Sequence, residues 1–353
     1  MKYNYQNISI SKDFYKSAEG FSKTLERLDP SEQYRGTELA GYDAFQRQLK
    51  RFDIKVAGAD SDRLQKFFAT SDSAALFPEY VSRAVKQGVD DNHILEEICA
   101  AHTQVEGMDY RAVASDPDWE TQSPSVIEEG GFIPETTIHL KDSLIRLRKR
   151  GRMMVASYEA IKFQRLDLFT VALKQIGACI GKAQLQDAVD VLINGDGNNN
   201  PAGKVDLATK DTLTYADLLN LWNSFGEYQM NVMLASPDMM LKLLQVKELQ
   251  DPQTGLNFQA TGSLSTPLGA KLFVSSAVPA GTIIGLDKRY ALEMVSAGGV
   301  NVEYDKLIDC QLERAAVTSI AGFSKIFADA IKVLSNPEET EDQDALTQAG
   351  PFL

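Results

Sequence analysis

Five cations crowd into seven residues of an acidic chain: Arg146, Arg148, Lys149, Arg150 and Arg152. Such a run can grip phosphate or meet an acidic protein surface. The 353 residues carry 36 lysines and arginines against 49 aspartates and glutamates, a net charge of -13. A surface of that sign repels nucleic acid, while a second copy of the chain would supply the counter-charge. These five are therefore candidate inter-subunit contacts, with phosphate binding as the alternative.

Other chemistry is hard to assemble. The three histidines, His93, His102 and His139, lack the spacing of zinc ligands on one helix, and no H-E-x-x-H or Cys/His cluster occurs. The segment NGDGNNNPAG superficially matches two motifs. A dinucleotide fingerprint would need glycine where Asn200 stands. A calcium loop beginning at Asp196 would need glycine and glutamate where the chain has Pro201 and Leu207. A turn closing a helix accounts for the segment. The pairs Glu96-Glu97 and Glu128-Glu129 are adjacent, so their side chains face apart on a strand and make a poor acid/base couple. No nucleophile elbow, P-loop or Ser/His/Asp arrangement can be drawn. The expectation is no catalytic residue, no cofactor, no metal and no enzyme. Cys99, Cys179 and Cys310 are odd in number and far apart, and read as buried free thiols.

The element that must organise these residues is a long helix over 166–193. Leu173, Ile176, Ile180 and Ala183 share one face, which Ala188, Val191 and Leu192 carry on. Asp167 is a candidate N-cap, and Asn194, Gly195, Asp196 and Gly197 end the helix. At 1.5 Å per residue it spans roughly 40 Å. Gly177 and Gly181 would let another backbone approach. A chain of this length exceeds one ordinary core, so two or more lobes are expected. Its 44% hydrophobic and 24% charged content suits a folded protein. No run of eighteen apolar residues could cross a membrane. The first residues lack the apolar core of a signal peptide, so the expected location is the cytoplasm of the producing cell.

Residues 1–75 are polar and turn-rich. Leu39, Tyr42, Phe45, Leu49 and Phe52 fall at helical steps, with Thr37 as a candidate cap. The stretch offers few other apolar residues, so it reads as an arm lying on another surface, such as a neighbouring subunit's; a small helical lobe on its own chain is the alternative. Strands at 132–140 and 153–160 would flank the basic stretch as a long hairpin with a charged tip. Beyond 198, Thr214 and Asp217 form a capping-box start, 231–235 is a strand, and Ser236-Pro237 opens another helix. Further strands are expected at 271–275 and 282–286. Val300, Val302 and Tyr304 alternate with polar residues, and 312–317 and 327–333 could pair with them. The tail holds Glu338, Glu339, Glu341, Asp342 and Asp344. There is no internal repeat.

Several segments in this order resemble the major capsid proteins of tailed bacteriophages, which share the Hong Kong 97 fold. They are FPEYVSRAVKQG at 77–88, RKRGRMMVASYEA at 148–160, the long helix with INGDGNNNPAGK at 193–204, and IIGLDKRYALEM at 283–294. The resemblance covers roughly residues 76–334. It implies an α+β fold with an amino-terminal arm over 1–90 and an extended loop over 115–160. A peripheral domain with the spine helix would take 91–114, 161–197 and 291–335. An axial domain would take 198–290, and an acidic tail 336–353. It implies a structural protein that tiles into the icosahedral head of a tailed phage or prophage, as hexamers and pentamers of itself. Its partners would be a portal and, in some members, decoration or scaffolding proteins. The shell would enclose double-stranded DNA without sequence-specific binding or any membrane. Its place would be the virion, after assembly in the cytoplasm of the host bacterium. An encapsulin-like compartment shell shares the fold and is the alternative; an α/β enzyme with an unrecognised site is the third reading. Some family members cross-link a lysine to an asparagine, but no matching motif stands here.

Overall fold

The computed structural model describes residues 5–337 except 18, 19, 92, 108, 116–137, 251–266 and 308. Its axis is the spine helix. Helices are numbered in chain order: α1 (Gly20–Leu28), α2 (Ala44–Arg51), α3 (Ser71–Asp90), α4 (Ile94–Ile98), α5 (Tyr158–Phe163), the 29-residue spine α6 (Leu166–Asn194), α7 (Tyr215–Asn223), α8 (Pro237–Gln245) and α9 (Lys247–Gln250). The spine matches the expected span within one residue. Its N-cap is Arg165, in extended backbone, not Asp167. Asp167 sits in the first turn, where its carboxylate accepts from the Leu168 N–H at 2.9 Å and faces Arg165 at 3.0 Å. At the far end Gly195 leaves the helix at φ 90°, a left-handed backbone that favours glycine.

The first half of the spine buries Leu166, Phe169, Leu173 and Ile180 against α3, which contributes Leu76, Phe77, Tyr80, Val81, Ala84 and Val85. The two helices meet backbone to backbone. A Cβ on Gly177 would lie 2.1 Å from the Val85 carbonyl oxygen, and one on Gly88 would lie 2.1 Å from that of Lys174. Gly177 was legible as a close-approach site, whereas its counterpart Gly88 was not. Gly177→Ala should force the helices apart and cost about 1 to 3 kcal/mol, as over-packing does. Denaturant melts of unassembled subunits would measure this, and an unchanged midpoint would contradict the close packing.

The expectation of an arm without its own core is corrected here. Ile10, Phe21, Leu25, Phe45, Leu49, Leu64 and Phe67 pack into the core that α3 and the spine complete. The amino-terminal residues thus form a helical lobe on their own chain. Inside it Arg47, fully buried, donates to Asp29 Oδ2 at 2.6 Å and to Ser31 Oγ at 3.0 Å. α2 begins at Asp43, not Thr37, because Asp43 and Gln46 close a capping box. The cysteines divide. Cys99 is buried and its thiol is pushed up to about 12 by that burial. Cys179 and Cys310 are exposed, against expectation, and Cys179 lies on the outward side of the spine.

Strands run β1 (Cys99–Val105), β2 (Val113–Ser115), β3 (Ile138–Leu140), β4 (Arg148–Ser157), β5 (Gly203–Asp206), β6 (Val232–Ala235), β7 (Lys271–Val274), β8 (Ile283–Leu286), β9 (Leu292–Ala297), β10 (Asn301–Leu307), β11 (Leu312–Lys325) and β12 (Ile331–Ser335). One five-stranded sheet has the order β1-β9-β11-β10, with β4 antiparallel to the long β11. The other has the order β5-β12-β8-β6-β7. Its one face meets the second half of the spine, Leu185, Ala188, Val189 and Leu192. Its other face is covered by α7 and α8 through Leu218, Leu221, Met239 and Leu243. Thr214 and Asp217 cap α7 as expected. Pro237 opens α8, but the Ser236 hydroxyl accepts from Thr282 N–H at 3.4 Å and makes no cap bond.

Two further expectations change. The basic stretch does not sit at a hairpin tip. It runs into β4, and the chain turns helical at Tyr158 where a strand was expected to continue. A hairpin base does exist, where β2 pairs antiparallel with β3. Residues 116–137, with the start of the strand expected from Phe132, lie outside the described residues. The final strand β12 pairs with β5 and β8 in the second sheet, not with β10.

Candidate functional site

The chemistry of the chain gathers where the spine helix ends. Gly195 turns the backbone so that Asp196 points into the seam between β11 and the segment after β3. Only 1% of the Asp196 side chain is exposed. Its Oδ2 accepts from Lys141 Nζ, Ser324 Oγ and the Lys325 N–H, each at 3.0 Å, and its Oδ1 accepts from Asn198 Nδ2 at 2.9 Å. Burial works to raise its pKa but is outweighed by the Asn198 amide, the Lys141 charge and the Ser324 hydroxyl, which bring it down to about 2. Lys325 is fully buried and donates to the carbonyl of Leu192, in the last turn of the spine, at 2.9 Å. Burial, helped by the Lys141 charge and opposed by Asp196, pulls its ammonium down to about 8. Lys141 also donates to the Lys325 carbonyl. The knot ties two separate segments to one helix end, so what it does is hold geometry. Its members were not singled out from sequence. Asp196 reads in the sequence as part of a turn once a calcium loop starting there is excluded, and isolated lysines at strand ends carry no pattern.

The basic residues lie beside this knot. Alternation along β4 directs Arg148 and Arg150 to the spine, where both grip Asp187. Arg150 reaches Asp187 Oδ1 at 2.6 Å and Oδ2 at 3.1 Å, and Arg148 pairs with Asp187 and also stands 3.8 Å from Asp190. The Asp187 hydrogen bonds raise the Arg150 pKa. Arg146, Lys149 and Arg152 are exposed, and among the described residues no ion pair holds them. A cleft of about 270 Å³ opens at this place between Arg146, Arg148, Asp187, Asp190, Asn194 and Gly322. Reversing Arg148 and Arg150 to glutamate would set two carboxylates against Asp187. That pair should lower subunit stability by about 1 to 3 kcal/mol in thermal melts at low salt, beyond the small value of exposed pairs. Reversing Lys149 and Arg152 should leave the melt within about 0.5 kcal/mol of wild type; equal effects from both pairs would contradict the assignment. Among the described residues, no group of three or more His, Cys, Asp or Glu could hold a metal ion.

A family model described as phage capsid protein matches residues 141–323, more than half of the chain. The match begins at Lys141 and runs through β4, the spine, the second sheet's helices and most of β11. The chain belongs to the phage capsid protein family, and is a structural capsid protein with the α+β fold of tailed-phage shells. The fold agrees with solved structures. The capsid of a native GTA particle is 16% identical, with a TM-score of 0.53 over 69% of this chain and 90% of that one. The capsid of the cyanophage P-SCSP1u is 13% identical, with a TM-score of 0.52 over 69% and 88%. No curated protein matches the chain. No helix among the described residues is long and apolar enough to cross a membrane.

Proposed function

We propose that the chain assembles with copies of itself, as hexamers and pentamers, into the closed icosahedral head of a tailed phage or prophage that encloses double-stranded DNA. The observation that carries this reading is the family match over 141–323, which takes in Lys141 and Asp196, the basic strand and the spine helix together. The chain performs no catalysis. It meets a portal at one vertex and, where the phage uses them, scaffolding or decoration proteins, and it assembles in the host cytoplasm. A net charge of -13 keeps most of its surface from gripping packaged DNA. The family match favours this over an encapsulin-like compartment of the same fold.

Within that reading the lobe over 1–90 is the amino-terminal domain. Residues 91–114, 161–197 and 291–330 form the peripheral domain, 115–160 the extended loop, and 198–290 the axial domain. Residues 331–335 join the axial sheet, because β12 pairs there. Arg146, Arg148, Lys149, Arg150 and Arg152 act at the contact between copies, with Arg148 and Arg150 held in place by Asp187. What co-purifies with assembled particles tests the proposal. Particles carrying DNA and a portal support it. Particles carrying a cargo enzyme would overturn it in favour of the compartment.

A further inference from the structure

We propose that the acidic run at 338–344 of one copy seats on the exposed cations at and just before β4 in a neighbouring copy; the inference rests on the shell reading above and names the partner of that contact. The two runs match in density. Glu338, Glu339, Glu341, Asp342 and Asp344 put five carboxylates into seven residues, the densest acid in the chain. Arg146 to Arg152 puts five cations into seven, the densest base. Among the described residues Asp187 engages Arg148 and Arg150, leaving Arg146 just before β4 and, on its two opposite faces, Lys149 and Arg152 exposed. β4 pairs only with β11 among the described residues, so its other edge is open. Cations on such an edge oppose pairing with a like edge and favour an acidic partner. The cleft between Arg146 and Arg148 gives a carboxylate side chain a place to enter beside the strand.

The neighbour's segment is favoured over the chain's own by where the run begins. Asn336 leaves the second sheet pinned to Asp211, its amide donating at 2.8 Å and its oxygen accepting from the Asp211 N–H at 2.9 Å. The cations stand on the edge of the first sheet. A donor site on one sheet and an acceptor site on the other make a head-to-tail contact, which repeats from copy to copy and can close a ring. Screening should then weaken it as salt rises.

Charge exchange in the full chain tests this. The strand variant carries Arg146→Glu, Lys149→Glu and Arg152→Glu. The tail variant carries Glu338→Lys, Glu339→Lys, Glu341→Lys and Asp342→Lys. Each alone should lower the sedimenting, assembled fraction at least tenfold at low salt, while circular dichroism shows a folded subunit. A chain carrying both sets should recover most of it. Mixing strand-variant with tail-variant subunits should also recover sedimenting assemblies, because in an even-membered ring each acidic site then finds a basic one on the other copy. A tail variant that assembles like wild type overturns the inference, and so does a double variant no better than the strand variant. Recovery in the double variant without recovery on mixing places the contact within one chain, which also overturns it. If the strand variant does not fold, a synthetic peptide of residues 336–346 decides. Inhibition of wild-type assembly at low salt supports the inference; its absence overturns it. Wild-type chain that never assembles would instead remove the shell reading itself.

Discussion

Leu173→Asp is expected to unfold the subunit. Leu173 is fully buried at the point where the spine helix meets α3 and the aromatic core of the amino-terminal lobe. The substitution removes a leucine from that core, about 2 to 5 kcal/mol by analogy with truncation to alanine. It also buries a carboxylate without a partner, which adds several kcal/mol more. The sum is on the order of the 5 to 15 kcal/mol that holds a whole domain together. The variant should be insoluble, or lack a cooperative transition in denaturant. Ile176→Asp makes the control. Ile176 shares the apolar face by spacing but is only half-buried, so it should be damaged less and stay partly soluble. Soluble, cooperatively folding Leu173→Asp would show that the spine does not pack as described.

Asp196→Ala is the second. The substitution leaves Lys141, 8% exposed, and fully buried Lys325 facing one another without a carboxylate. Breaking a buried pair from one side costs about 3 to 5 kcal/mol, because the remaining charge stays desolvated. Urea melts at pH 7 should show that loss, and a change under about 1 kcal/mol would contradict the knot. The pH dependence follows from the direction of the shift. The folded carboxyl, at about 2, lies below its ordinary 3.8, so its stabilisation is present above pH 3.8 and is lost as pH falls from there toward 2. A depression of this size corresponds to about 2 kcal/mol. Wild type should lose that much over this window beyond what Asp196→Asn loses.

Local signals made the spine, α7 and the strand near Val302 legible, because each is written in neighbouring residues: a 3.6-residue period, a capping box, an alternation. What escaped was assembled from afar. The amino-terminal core draws its aromatics from Phe21 to Phe169, so no window of the sequence holds enough of them to show a lobe. Lys141, Asp196 and Lys325 meet across separations of 55 and 129 residues. The basic stretch concealed a strand because four charges in its first five residues mask the apolar alternation. An edge strand tolerates them, since its open side faces solvent. Periodicity likewise gave the spine an apolar face but not its breadth, which is why Cys179 was expected inside and stands outside. Of the five candidate contact residues, sequence found the cluster, and only the fold separates the two that Asp187 holds from the three left exposed without an ion pair among the described residues.

Electron microscopy of the purified full-length chain, over a range of salt and crowding, tests the central claim most directly. The account predicts closed shells of uniform size built from hexamers and pentamers, forming more readily at low salt. A folded, stable monomer under every condition would contradict it.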